Sequence, residues 1–192
     1  MPTLSSPNRI VWDYFFSLRL LVQNAKEAQG PELARQATAL AVVMAVTVGE
    51  VFLNLWFRVR VEEKAVPGHR DSLLKDLNVR IPLHHKLKHW PSRYLSAPLD
   101  LNSGAGGEFV KLKSLRNSIV HFTSSHESIE LAGVTIHGLA DTSAYDSLSS
   151  KQAVWALQTA ENFVAEIFRL ADIAEKEIPN ALHAWAGKPP AV

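Results

Sequence analysis

Cysteine is absent from this 192-residue chain, so disulfide scaffolds, thiolate zinc sites and cysteine nucleophiles are excluded. Long apolar runs are scarce as well. The longest, roughly Ala37 to Gly49, falls short of the ~20 residues that a membrane span needs and is closed by Glu50. The N-terminal stretch lacks the form of a secretory signal, because Asp13 and Arg19 interrupt it and no small-residue cleavage site follows. Sequence signatures of several enzyme classes are also missing. No Gly-Lys-Ser/Thr follows Gly104-Ala105-Gly106-Gly107, and neither a Gly-x-Ser-x-Gly elbow nor a paired-histidine zincin motif occurs. There is no internal repeat with a period of roughly 20–50 residues. The expectation is a soluble, cytoplasmic protein with no membrane contact.

What is present suits one domain. An apolar fraction of 47% excludes general disorder, and the length is enough to bury a substantial core. A net charge of +1 hides an asymmetry along the chain. Residues 58–116 carry twelve Lys/Arg against six Asp/Glu, whereas residues 127–178 carry three against nine. A polyanion would be drawn to the middle third, although a charge run is also an ordinary solvated face.

Ile10, Tyr14, Leu18, Leu21 and Ala25 recur at three- and four-residue spacing, which predicts an amphipathic helix over about 8–29, ended by Gly30. Pro31 then opens a second helix to about residue 64. It is apolar all round between Ala37 and Trp56, which places it at the centre of the core. Residues 65–107 hold Pro67, Pro82, Pro91, Pro98 and the glycine-rich stretch, so short helices and loops are expected in this irregular basic segment. Leu112, Leu115, Ile119 and Phe122 predict a helix over about 108–122. Ile129-Glu130-Leu131 and Val134-Thr135-Ile136 around Gly133 predict a small β-hairpin insertion near 127–138. A last helix over about 150–177 stops before Pro179, and residues 179–192 are expected to be a flexible tail. The whole predicts an all-α, up-and-down bundle of four to six helices, with its core over about 8–178.

The chemistry concentrates in Leu115-Arg116-Asn117-Ser118-Ile119-Val120-His121. A histidine exchanges a proton near neutral pH, and an arginine holds a phosphate through a planar fork of donors. Spacing alone proves nothing, because Arg80 and His85 share it; Pro82, however, breaks any helix between those two. At 100° per residue, Asn117 and His121 share a helical face while Arg116 stands about 140° from His121. One helix would not close the pair, but two copies facing each other across a two-fold axis would bring both pairs around one phosphate. The plain alternative is a histidine satisfied by a helix C-terminus and an arginine on an ordinary surface. Glu50 and Asn54, at i and i+4 in the most apolar helix, must find polar partners. They serve either a structural network or the orientation of Arg116 or Asn117.

A second candidate is His84-His85-Lys86-Leu87-Lys88-His89-Trp90-Pro91-Ser92-Arg93-Tyr94. Lys86, Lys88, His89, Trp90 and Arg93, with Lys113 on the motif helix, combine phosphate-neutralising and base-stacking groups of the kind that contact single-stranded RNA. The alternatives are a solvated polar face or a metal held by His85 and His89, for which the segment offers no carboxylate. Gly104-Ala105-Gly106-Gly107 fits a flexible linker better than a phosphate cradle.

These motifs resemble the HEPN domains, small all-helical proteins of prokaryotic toxin-antitoxin, phage-defence and RNA-processing systems. The likeness rests on Arg116, Asn117 and His121, matching an Arg-Asn-x3-His signature, and on Val48-Gly49-Glu50-Val51-Phe52-Leu53-Asn54, which looks like the family's apolar helix with an embedded Glu-x3-Asn. It covers roughly residues 35–125. The resemblance implies a metal-independent, cofactor-free endoribonuclease that acts on RNA as a homodimer with its site at the interface. His121 would move the proton when the ribose 2′-hydroxyl attacks the neighbouring phosphate, Arg116 would stabilise the developing charge, and Asn117 would position groups. It also implies an antitoxin or nucleotidyltransferase partner. Thr123 stands where some members of that type carry a tyrosine, which puts tyrosine-directed regulation in doubt. Because many members have lost activity, a non-catalytic RNA- or protein-binding module is the alternative, and a helical adaptor without nucleic acid is a third.

Overall fold

Gly30 and Pro31 divide the first two helices as the sequence predicts. The computed structural model describes residues 6–63, 68–121, 128–138 and 140–187. Helix α1 (Pro7–Glu27) and helix α2 (Pro31–Glu62) form a long hairpin. Each opens with a proline in its first turn, where the missing N–H has no partner to lose. Gly30 makes the turn with φ at 119°, a region open to glycine. The buried stripe of α1 is Val11, Phe15, Leu18, Val22 and Ala25. It is rotated about one residue from the predicted one: Ile10 is exposed, and Tyr14 and Leu21 are only partly buried. Arg19, read as an interruption, is itself buried. Its guanidinium donates to Glu161 Oε1 at 2.7 Å and to the Ala186 carbonyl, which ties α1 to later elements.

Helix α2 buries residues from Thr38 to Val61 and is the spine of the core. The broken apolar run understated it, because the whole helix is 32 residues long with a mean hydropathy of 1.9 in its most apolar window. That would suffice to cross a membrane by length and composition, but 56% of the window is buried inside the chain, as in the core helix of a soluble protein.

The remaining elements are α3 (Arg70–Asn78), α4 (Leu83–Tyr94), α5 (Gly104–Val120), strands β1 (Ile129–Leu131) and β2 (Val134–Ile136), α6 (Ser143–Asp146), α7 (Ser150–Leu170), a 3-10 turn (Glu175–Glu177) and α8 (Ile178–Ala186). The strands pair antiparallel with Glu130 opposite Thr135. The fold is therefore an all-α helical bundle with a small β-hairpin. Among the described residues there are eight helices rather than four to six, because α3, α6 and α8 are short pieces of nine residues or fewer. Helices α1, α2, α5 and α7 enclose the core. Phe109 stacks on Phe163 with ring centroids 4.0 Å apart, and Phe52 meets Phe168 edge-on at 5.5 Å.

Three predicted boundaries move. Helix α5 starts at Gly104, so the glycines form its first turn and are not a linker. A Cβ on Gly106 would overlap the Asp100 carbonyl and Leu99, and one on Gly107 would crowd Asn102, so these glycines let residues 99–102 lie close against the helix. Helix α7 ends at Leu170, with Asp172 at φ 61° turning the chain. Pro179 then opens α8 instead of closing α7, and residues expected in a flexible tail pack against α1. Phe122, placed at the end of the motif stripe, residue 127 of the hairpin region and residues 188–192 of the tail lie outside the described residues.

Candidate active site

Glycine at position 49 decides how close α5 comes to α2. A Cβ there would overlap the Phe109 ring, so the absence of a side chain lets α5 settle beside the next residue, Glu50. Glu50, Asn54 and Arg58 follow at four-residue intervals along α2. Lys113 and Arg116, one turn apart on α5, line the same space, and Arg80, His84 and Lys86 close it from the α3–α4 connection and the start of α4. The result is a cleft of about 840 Å³.

Its charge is one-sided. Glu50 Oε1 accepts from Lys86 Nζ at 2.8 Å; the lysine side chain is 7% exposed and the glutamate 36%. Asp76, the other carboxylate in the lining, accepts from Trp90 Nε1 at 3.3 Å and from the Tyr94 hydroxyl at 3.0 Å. Burial first, and the nearby Asp76 carboxylate after it, push the Tyr94 hydroxyl above its ordinary range, so it remains a donor at neutral pH. Both acids are thus engaged. Arg58 donates to the Leu77 carbonyl at 3.4 Å. Arg80, Lys113 and Arg116 have no carboxylate partner among the described residues, and Arg116 Nε is buried without a hydrogen bond. Such a cleft attracts an anion.

The heptapeptide is divided by this geometry. Arg116 lines the cleft; Asn117 and His121 do not. Asn117 is half-buried on α5, and His121 is exposed just past the helix, its backbone N–H donating to the Asn117 carbonyl at 2.8 Å. Glu50 and Asn54 do share the cleft with Arg116, but the partner of Glu50 is Lys86 and not Arg116 or Asn117. Thr123 lies outside the described residues.

The basic segment proves two-sided once it is wound into α4. Trp90 is fully buried against Phe57, with ring centroids 5.2 Å apart, and cannot offer a stacking face; Lys86 is buried on Glu50 and cannot reach a phosphate freely. Helical spacing puts residues 83, 86, 87, 90 and 94 on the core side. His84, His85, Lys88, His89 and Arg93 remain exposed. The His85 and His89 rings lie 4.4 Å apart, and His89 is held below the ordinary histidine value by local desolvation and then by its positive neighbours, His85 foremost. Among the described residues no group of three or more His, Asp or Glu side chains could hold a metal ion.

Sequence reasoning passed over Arg58 and Arg80. Arg58 is one helical turn beyond Asn54, so extending the Glu50/Asn54 face would have found it. Arg80 shares the motif's arginine-to-histidine spacing with His85, but Pro82 separates the two. Pro82 does precede α4, yet this places Arg80 in the connection that closes the cleft. No protein-family model, no curated protein and no solved structure matches the chain.

Proposed function

We propose that the chain is a metal-independent endoribonuclease of HEPN type, acting on RNA in a cytoplasmic toxin-antitoxin or defence setting. The observation that carries this reading is that Glu50, Asn54 and Arg116, from two motifs far apart in sequence, line one positively charged cleft. RNA supplies its own nucleophile. As the ribose 2′-oxygen attacks the adjacent phosphorus, His121 accepts the hydroxyl proton and Arg116 stabilises the charge on the phosphoryl oxygens. A His121 imidazolium gives its proton to the departing 5′-oxygen and completes the cut, leaving a 2′,3′-cyclic phosphate and a 5′-hydroxyl. Because His121 lies outside the cleft of its own chain, the reading requires a homodimer in which a second copy brings its motif to the same phosphate.

Cleavage of labelled RNA by the parent and by His121→Ala tests the assignment. General acid–base catalysis contributes ~10²–10⁴-fold, so the variant should lose at least that much while keeping its fold and oligomeric state. A clean preparation of the variant that cuts at the parent rate removes His121 from the mechanism.

The exposure of His121 outside the cleft also favours a second reading, a non-catalytic RNA- or protein-binding module that works with an antitoxin or nucleotidyltransferase partner. Salt-dependent RNA binding without cleavage products would select it.

A further inference from the structure

We infer that the cleft between α2, the α3–α4 connection and α5 is a nucleotide pocket, with Arg80, Lys113 and Arg116 receiving the phosphate and Leu77, Val79 and Ile81 forming the wall for the base. The inference rests on the ribonuclease reading in one respect: it names where the nucleotide beside the scissile bond sits.

Among the described residues, Arg58, Arg80, Lys113 and Arg116 line a space of about 840 Å³ without a carboxylate partner, whereas Lys86 is paired with Glu50 and Asp76 accepts only from Trp90 and Tyr94. With Asp76 as the one carboxylate not paired to a cation, the lining keeps an excess of positive charge, and an entering anion relieves the repulsion within it. A phosphate, singly charged within an RNA chain and up to doubly charged on a free nucleotide, supplies the missing negative charge and gains charge-assisted hydrogen bonds. The apolar part of the lining, from the end of α3 and the connection that carries Arg80, explains why the ligand is more than a phosphate. Leu77, Val79 and Ile81 line the same cleft, and Val79 is 55% exposed, an open apolar surface against which a flat heteroaromatic ring loses water. Cations beside an apolar wall fit an ionised group joined to an apolar ring. The volume lies within the roughly 300–1,000 Å³ of small-ligand sites. Arg80 thereby acquires a role: it belongs to the pocket with Arg116, not to a catalytic pair with His85.

The nucleotide can be free or one link of single-stranded RNA, and the chemistry at the pocket is the same. The test uses the His121→Ala chain, so that no probe is consumed. A fluorescein-labelled single-stranded RNA decamer is followed by anisotropy over a salt series, with AMP added both as competitor and alone. Arg80→Ala and Lys113→Ala are compared with Lys88→Ala and Arg93→Ala on the exposed side of α4. The pocket predicts that each cleft substitution weakens decamer binding about tenfold and lowers the salt slope by about one, with α4 substitutions less damaging. AMP should compete with the decamer. If AMP also binds alone at submillimolar concentration, free nucleotides are a source; if it competes only weakly, the chain is the source.

Equal binding by the cleft variants and their parent overturns the pocket, as does loss of binding confined to the α4 variants. The two proposals fail separately. Absence of cleavage by the unsubstituted chain, with cleft-dependent binding intact, sinks the ribonuclease reading alone. Cleavage undiminished in an Arg80→Ala, Lys113→Ala double variant, with decamer affinity unchanged, sinks the pocket alone.

Discussion

Glu50 stands where the polar needs of a buried helix meet those of a charged cleft, and its pairing with Lys86 is unequal. The ammonium is nearly enclosed and the carboxylate is about one-third in solvent. Removing the acid strands a buried charge; removing the lysine leaves an acid that water can reach. Glu50→Gln should therefore destabilise the chain by roughly 1–3 kcal/mol, and Lys86→Met, which keeps the apolar stem, by clearly less. Midpoints of urea unfolding decide the order, and a larger loss for Lys86→Met would show that the carboxylate, and not the ammonium, is the charge that water cannot reach. Four-residue spacing on an apolar helix predicts partners for Glu50 and Asn54; Glu50 finds one, whereas Asn54, half-buried at the cleft, has no hydrogen bond among the described residues. The spacing does not name Lys86, because that depends on how α4 rotates against α2, which no local pattern encodes. Trp90 illustrates the same limit: basic neighbours suggest a platform, and only the winding of α4 turns the indole inward onto Phe57.

Among the elements, close approach explains more than composition. Gly49 admits the Phe109 ring, and Phe109 in turn stacks on Phe163 of α7, so one missing methyl sets the spacing of three helices. Gly49→Ala should cost about 1–3 kcal/mol, the usual range for overpacking a filled core, read as a lower melting temperature. It should also weaken whatever the cleft binds, because Lys113 and Arg116 move with α5. A variant as stable as the parent would mean that the ring has room to shift. The glycines at 104–107 mislead for the same reason. In sequence they signal a break, whereas Gly106 and Gly107 permit residues 99–102 to lie against the first turn of α5. Helix α4 offers a pH test. Desolvation, then His85, Lys88, Arg93 and His84, lower the proton affinity of His89 in the folded chain, so the unfolded chain binds that proton more readily. Its contribution to stability is present above the ordinary histidine value and is lost as pH falls through it toward the lower folded value. An NMR titration should place His89 below a model histidine, and His85→Gln should move it upward; no movement would remove His85 from the causes and leave desolvation with Lys88, Arg93 and His84.

At the scale of the whole molecule, the long helices, the hairpin and the all-α class follow from apolar periodicity, while α8 and the cleft depend on contacts between distant segments. Arg19 reaching Glu161 and the Ala186 carbonyl is one such contact, and it fixes a C-terminal stretch that looks like a tail in sequence. The functional question is also one of distant parts, since a chain that places Arg116 in the cleft and His121 outside it holds half of the proposed site. A site shared between copies makes a distinctive prediction. Arg116→Ala and His121→Ala, each inactive alone, should restore cleavage when mixed, unfolded together and refolded. A site that takes its arginine from one copy and its histidine from the other survives once per mixed dimer. Random pairing makes half the dimers mixed, so recovery should approach roughly one-quarter of parent activity. If both groups must come from one chain, every dimer in the mixture carries only damaged sites and nothing returns. The requirement for both arginines and both histidines at one phosphate gives the same silence, so the size of the recovery reports how many copies of each side chain a single cut needs.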